Sequence, residues 1–247
     1  MIKPEVLLFV FFFDIYNMTT LTLNQVDLEQ MVSWLMTRLK NSLPGKEAQL
    51  LMAPPLRENR MAPPTGFNPI ESAVLIALVL NHNEPSIIFI KRPEYDGVHS
   101  GQMALPGGKK EKEDSNEWET AIRESYEEIG LPLDSAKQIG QISPLYIPHS
   151  GYMVRPVIAC LPFLPPLKAD ENEVDSIHII KIDDLLNARK RENITFNTIN
   201  GKIKAPCFAV DQQKIWGATA MIISELLVIL GEYLNLPPKT IFPDNNF

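Results

Sequence analysis

Between Leu105 and Leu131 the chain reads LPGGKKEKEDSNEWETAIRESYEEIGL, a stretch that leaves the backbone few options. Gly107 and Gly108, after Pro106, let the main chain come close to a ligand, and their carbonyls can serve as metal ligands. A helix is expected to follow. Asp114 or Ser115 is its expected N-cap, with Glu117 three residues after Asp114 in capping-box spacing. Gly130 can take the left-handed conformation that stops it. Trp118, Ala121, Ile122 and Ile129 form an apolar stripe that should face a core. Glu124, Glu127 and Glu128 fall at i, i+3 and i+4, so three carboxylates share one face. Like charges at that spacing repel, which a solvated acidic face tolerates. Three oxygen donors on a rigid element also suit a hard cation such as Mg2+ or Mn2+, whose charge removes the repulsion. The glycine pair ahead of the helix favours the second account.

The stretch resembles the Nudix hydrolase box, G-x5-E-x7-R-E-U-x-E-E-x-G-U with U apolar. Arg123-Glu124, Glu127-Glu128, Gly130 and Leu131 match it directly. Asp114 stands at the first Glu, eight rather than seven residues separate it from Arg123, and Ser125 replaces an apolar residue. The first two departures resemble the coenzyme A diphosphatase branch of the family. The upstream run from Ile87 to Gly108, IIFIKRPEYDGVHSGQMALPGG, resembles that branch's second signature, with Leu105 at a Phe position.

With 247 residues the chain can bury a full core as one large domain or a domain with an extension. A hydrophobic fraction of 45% with 21% charged residues is that of a soluble globular protein. The formal charge of −7 argues against nucleic acid as main partner, yet leaves room for a small phosphorylated substrate met by a cation and a few local Lys or Arg. Cys160 and Cys207 lie in apolar, strand-like contexts without CxxC spacing, and are expected as reduced thiols of a cytoplasmic protein.

Residues 1–18 form a doubtful leader. Their apolar run, Val6 to Phe13, is too short to span a bilayer and lacks a signal-peptide cleavage site. An upstream mis-start ahead of Met18, or a membrane-associating segment, would account for it. Residues 19–66 read as a helical extension: a helix from Asn24 to about Asn41, striped by Leu28, Met31, Val32, Leu35, Met36 and Leu39, then a proline-rich connector. Arg57 and Arg60 in the connector are solvated or reach a substrate across a subunit boundary. Residues 67–247 read as the main domain. SAVLIALVL and SIIFIKR form a buried hairpin turning at Asn81 to Pro85, with His82 exposed. Lys91 and Arg92 end its second strand and open the loop around Gly97 and Gly101. Beyond the acidic helix, strands are expected at Gln138–Tyr146, Tyr152–Leu161 and Val174–Ile182, with His149 in a loop and Arg155 facing outward. A short helix over Asp183–Ala188 precedes hairpins turning at Asn200-Gly201 and at Asp211 to Gln213. The final apolar helix packs on the sheet or against a second subunit, so a homodimer is open. This order gives an α/β fold with a mixed sheet between helices, in agreement with the α/β/α sandwich that the Nudix resemblance implies.

The resemblance also implies a chemistry: metal-dependent hydrolysis of a diphosphate bond, with Mg2+ or Mn2+ held by Glu124, Glu127, Glu128 and the Gly108 carbonyl. Arg123 is then expected to orient a carboxylate, while Lys91, Arg92, Gly107 and Gly108 meet the substrate. Glu173 is a further carboxylate candidate. The substrate implied is coenzyme A or an acyl derivative, cleaved to 3′,5′-ADP and 4′-phosphopantetheine. A broader ADP-ribose or nucleotide-sugar diphosphatase is the alternative within the enzyme class, and a Nudix-fold binding module without catalysis the alternative outside it. The intact R-E-x-x-E-E core speaks against the module.

Overall fold

Alternation along two strands sets the architecture. In β1 (Ile70–Asn81), Ala73, Leu75, Ala77 and Val79 point to one side of the sheet while Ile76 and Leu78 point to the other, and both sets are buried. In β2 (Glu84–Lys91), Ile88 and Ile90 join the first set, and Ile87 and Phe89 the second. A sheet apolar on both faces must be covered on both. The structure, a computed structural model, describes residues 28–94, 100–198 and 201–243, with backbone alone at 197, 198 and 201. The leader and Met18, the Asn24 cap, the loop at Gly97 and the hairpin tip at Asn200 lie outside the described residues.

The main sheet runs β3-β2-β1-β7-β5, with β4 on β1, β6 on β7 and β8 on β2. Its members are β3 (Met103–Ala104), β4 (Gly107–Lys109), β5 (Lys137–Gln141), β6 (Leu145–Ile147), β7 (Tyr152–Leu161) and β8 (Ser176–Lys181). β1 and β7 run parallel and the other pairs antiparallel, so the sheet is mixed. A separate three-stranded sheet follows, from β9 (Arg191–Thr198), β10 (Gly201–Val210) and β11 (Gln213–Trp216). One main-sheet face is covered by the acidic helix. The other is covered by α1 (Leu28–Arg38), the C-terminal helix over Gly217–Tyr233 and the Phe208 face of the small sheet. The fold is therefore α/β with a mixed sheet between helices.

Local differences from the sequence expectations have physical causes. The first hairpin turns on two residues, His82 and Asn83, both at positive φ (50° and 64°) as a tight two-residue turn requires, and His82 is exposed. The strand expected over Gln138–Tyr146 is two strands, because the ladder shifts register at Gly140 and Pro144 has no N–H to offer. β8 starts at Ser176, since Val174 is buried in the preceding loop with its N–H on the Asp170 carbonyl at 2.8 Å. The connector holds α2 (Lys46–Leu50), too short for a periodicity signal, and its part-buried Arg57 donates to the Tyr146 and Arg60 carbonyls. Arg155 pairs with Glu71 at 2.8 Å and Glu117 at 3.5 Å. Both cysteines are free thiols. Among the described residues no helix is long and apolar enough to cross a membrane.

Candidate active site

The acidic helix is α3 (Glu117–Ile129). Asn116, not Asp114 or Ser115, is its N-cap: the Asn116 side chain accepts from the Glu119 N–H at 3.0 Å, and Glu119 accepts from the Ser115 N–H at 2.7 Å. Asp114 is unavailable because Arg123 takes both its oxygens, at 3.1 and 2.9 Å. Gly130 ends the helix at φ 64°. Ser125, at the apolar position of the box, is fully buried and donates its hydroxyl to the Ala121 carbonyl at 2.7 Å, so it needs no other partner.

Around this helix the charges are tightly organised. Glu128 is 3% exposed, and its carboxylate accepts from the Gly107 N–H at 2.8 Å. Burial pushes its carboxyl up to about 7, opposed by the Gly107 N–H and by Arg92. Burial also raises the half-buried Glu124; Arg123 opposes the shift, while Glu127 and Glu173 reinforce it. Gly108 leaves room for the Glu124 carboxylate: a Cβ there would lie 2.4 Å from Glu124 Oε2. Arg123 donates from Nη1 to Glu124 Oε1 and to Glu127 Oε2, each at 3.0 Å. Glu173 reaches the same field from the loop before β8. Main-chain bonds from Lys168 to Ile129 and from Asp170 to Glu128, each 2.9 Å, fasten that loop to the end of α3.

Lys91 and Arg92 part company. Successive residues of an extended chain point to opposite faces. Arg92 lies on the α3 side, where its charge acts on Glu128. Lys91 lies on the other side, 3.6 Å from Asp175 and near His178. The structure thus brings Arg92, Gly107, Gly108, Arg123, Glu124, Glu127, Glu128 and Glu173 together and leaves Lys91 out. His149 is exposed.

The Asp114–Arg123 pair has a consequence for acid stability. Arg123 holds the Asp114 carboxyl down at about 2. A carboxyl depressed on folding stabilises the fold above its unfolded value near 4, and that contribution is lost as pH falls from about 4 towards 2. Asp114→Asn is expected to cost roughly 1–2 kcal/mol at neutral pH and to flatten the Tm profile between about pH 4 and 2, measured by thermal melts across that range. A wild-type profile no steeper than that of the variant would rule the linkage out.

The Nudix domain family model matches residues 69–198, more than half of the chain and including every residue of this cluster. The chain is a Nudix hydrolase. The hydrolase named NudL of Yersinia enterocolitica, itself uncharacterised, is 32% identical over 161 residues, covering 64% of this chain and 80% of the relative. Its Yersinia pestis counterpart is 31% identical over 157 residues, covering 63% and 77%. A MutT/nudix family protein from Enterococcus faecalis, known from its crystal structure, shares 17% identity over 87% of this chain and 79% of its own, with a TM-score of 0.44. Nudix hydrolases act on diphosphate-containing small molecules and generally use divalent metals such as Mg2+ or Mn2+. The donor chemistry here fits such an ion: carboxylates that raise one another's proton affinity, on one helix face, against a glycine pair. Among the described residues no three His, Cys, Asp or Glu are drawn together closely enough to form a ready-made cage. Glu127 is turned onto Arg123 instead.

Proposed function

We propose that this Nudix hydrolase cleaves the diphosphate bond of coenzyme A or an acyl derivative, giving 3′,5′-ADP and 4′-phosphopantetheine. The observation that carries this reading is the position of Arg92. It opens the second signature, which runs on to Pro106-Gly107-Gly108, and its charge stands on the same side as Glu128. A guanidinium there suits a substrate carrying a phosphate besides its diphosphate.

In this proposal Glu124, Glu127 and Glu128, with the Gly108 carbonyl, hold Mg2+ or Mn2+. When bound, the ion neutralises charge on the phosphoryl oxygens and lowers the pKa of the attacking water. The residues divide the remaining work. Gly107 fixes the Glu128 carboxylate through its N–H, and Gly108 lets substrate and Glu124 approach the backbone. Arg123, anchored on Asp114, donates to Glu124 and Glu127 and sets the charge beside the site. Glu173, on the loop fastened to α3, would accept the proton of the water. The two free cysteines suit a cytoplasmic setting.

Arg92→Ala tests the substrate. Coenzyme A carries a 3′-phosphate that dephospho-coenzyme A lacks. Loss of one charge-assisted contact, roughly 1.5–3 kcal/mol, should lower kcat/KM for coenzyme A by about one to two decades and spare dephospho-coenzyme A. Equal losses on both would assign Arg92 to the diphosphate or the loop. A wild type that prefers ADP-ribose or a nucleotide sugar would replace coenzyme A as substrate, and no turnover on any diphosphate with Mg2+ or Mn2+ would leave a binding module.

A further inference from the structure

Arg123 uses all five of its N–H groups, and it uses them unequally. Nε and Nη2 are anchored: they bond both oxygens of the buried Asp114 carboxylate and the Lys109 carbonyl, at 2.9 to 3.1 Å. Nη1 is left as a fixed cationic prong, and both its N–H groups go to Glu124 and Glu127, two of the three carboxylates assigned to the cation. Those two differ in freedom. The Glu124 side chain is 15% exposed and seated against Gly108, whereas the Glu127 side chain is 52% exposed and, among the described residues, makes its one side-chain bond to Arg123. Glu128, on the Gly107 N–H, makes no bond to Arg123.

Resting on the cation reading above, we propose that Arg123 is an internal competitor for the divalent ion, and that Glu127 is the carboxylate that swings between the Arg123 prong and the ion. Glu124 and Glu128 form the fixed half of the site. Glu127 completes it only by leaving Nη1, so the apparent affinity equals the intrinsic affinity reduced by the fraction of time that Glu127 is free. An exposed carboxylate–guanidinium pair is weak, so the parked state weakens binding by no more than about fivefold. The positive charge beside a dication acts in the same direction. A side chain that held the glutamates in place for the ion would do the opposite: removing it would weaken binding.

The test is direct Mn2+ binding without substrate, followed by electron paramagnetic resonance of free Mn2+, for wild type, Arg123→Gln and Arg123→Lys. Melts and circular dichroism check the fold. Lysine keeps the charge but cannot hold Asp114 and both glutamates at once, so it reports even if the glutamine variant fails to fold. Arg123→Gln is expected to bind Mn2+ about three- to tenfold more tightly than wild type, and Arg123→Lys about two- to threefold, although both turn over more slowly. Equal or weaker Mn2+ binding by the folded variants would overturn the competitor role while leaving the cation site standing. No Mn2+ binding by wild type would overturn the cation reading itself and this inference with it.

Discussion

Glu128→Gln is expected to lower turnover at saturating Mg2+ by about three decades, the several kcal/mol that a liganded cation supplies to a phosphoryl-transfer transition state. The protein should stay folded. Glutamine is the same size, and its carbonyl oxygen can still accept from the Gly107 N–H that now bonds Glu128 at 2.8 Å. A neutral amide also suits a site 3% exposed better than a carboxylate whose pKa burial has raised to about 7. The Tm without added metal should therefore hold or rise slightly. Release of 3′,5′-ADP from coenzyme A, read beside a melt, checks both halves. A folded variant with normal turnover at saturating Mg2+ would remove Glu128 from the metal set.

The two glycines should fail in different ways. At Gly107 the backbone has φ 148°, and a Cβ would lie 2.3 Å from the Ala73 carbonyl oxygen and 2.6 Å from Val74 Cα, both main-chain atoms of the central strand β1. Neither can move without moving the sheet, so Gly107→Ala should cost roughly 3–5 kcal/mol and leave little soluble protein. At Gly108 the three atoms nearest such a Cβ all belong to the end of the Glu124 side chain, at 2.4 to 2.6 Å. Rotating Glu124 relieves that contact and leaves the fold intact, but it moves a carboxylate of the proposed metal set by about an ångström or more. A loss of about 100-fold in kcat is expected, with Tm within a few degrees of wild type. Solubility, melts and turnover of the two alanine variants separate them. A well-folded Gly107→Ala, or a fully active Gly108→Ala, would show that the β4 backbone is more adaptable than its packing indicates.

What could be read in advance, and what could not, follows from the range of each interaction. The acidic helix was legible because its stripe, its glycine stop and the spacing of Glu124, Glu127 and Glu128 are all local. The same holds for the buried hairpin of β1 and β2. The role of Asp114 was not, since one carboxylate can cap a helix or anchor an arginine, and Asn116 two residues on caps equally well. Lys91 and Arg92 were grouped as neighbours in sequence, although strand alternation separates them across the sheet. The small second sheet was foreseen only as hairpins, because nothing local says that β9 to β11 leave the main sheet.

One contact at long range bears on how far the chain can be cut down. Glu225 on the C-terminal helix is fully buried; it accepts from the Gln49 amide at 2.9 Å and from the Gly45 and Ser143 N–H groups at 3.0 and 3.2 Å. Ser224 beside it donates to the Ala48 carbonyl at 2.7 Å. Met31, Leu35 and Met52 of the extension share one apolar cluster with Ile76, Phe89 and Leu226. The stretch matched by the family, residues 69–198, thus carries the whole proposed metal site but only half of its own insulation. Trimmed to that stretch, the chain would open one side of its central sheet to water. Heredity of the chemistry and autonomy of the fold are here written in different lengths of sequence.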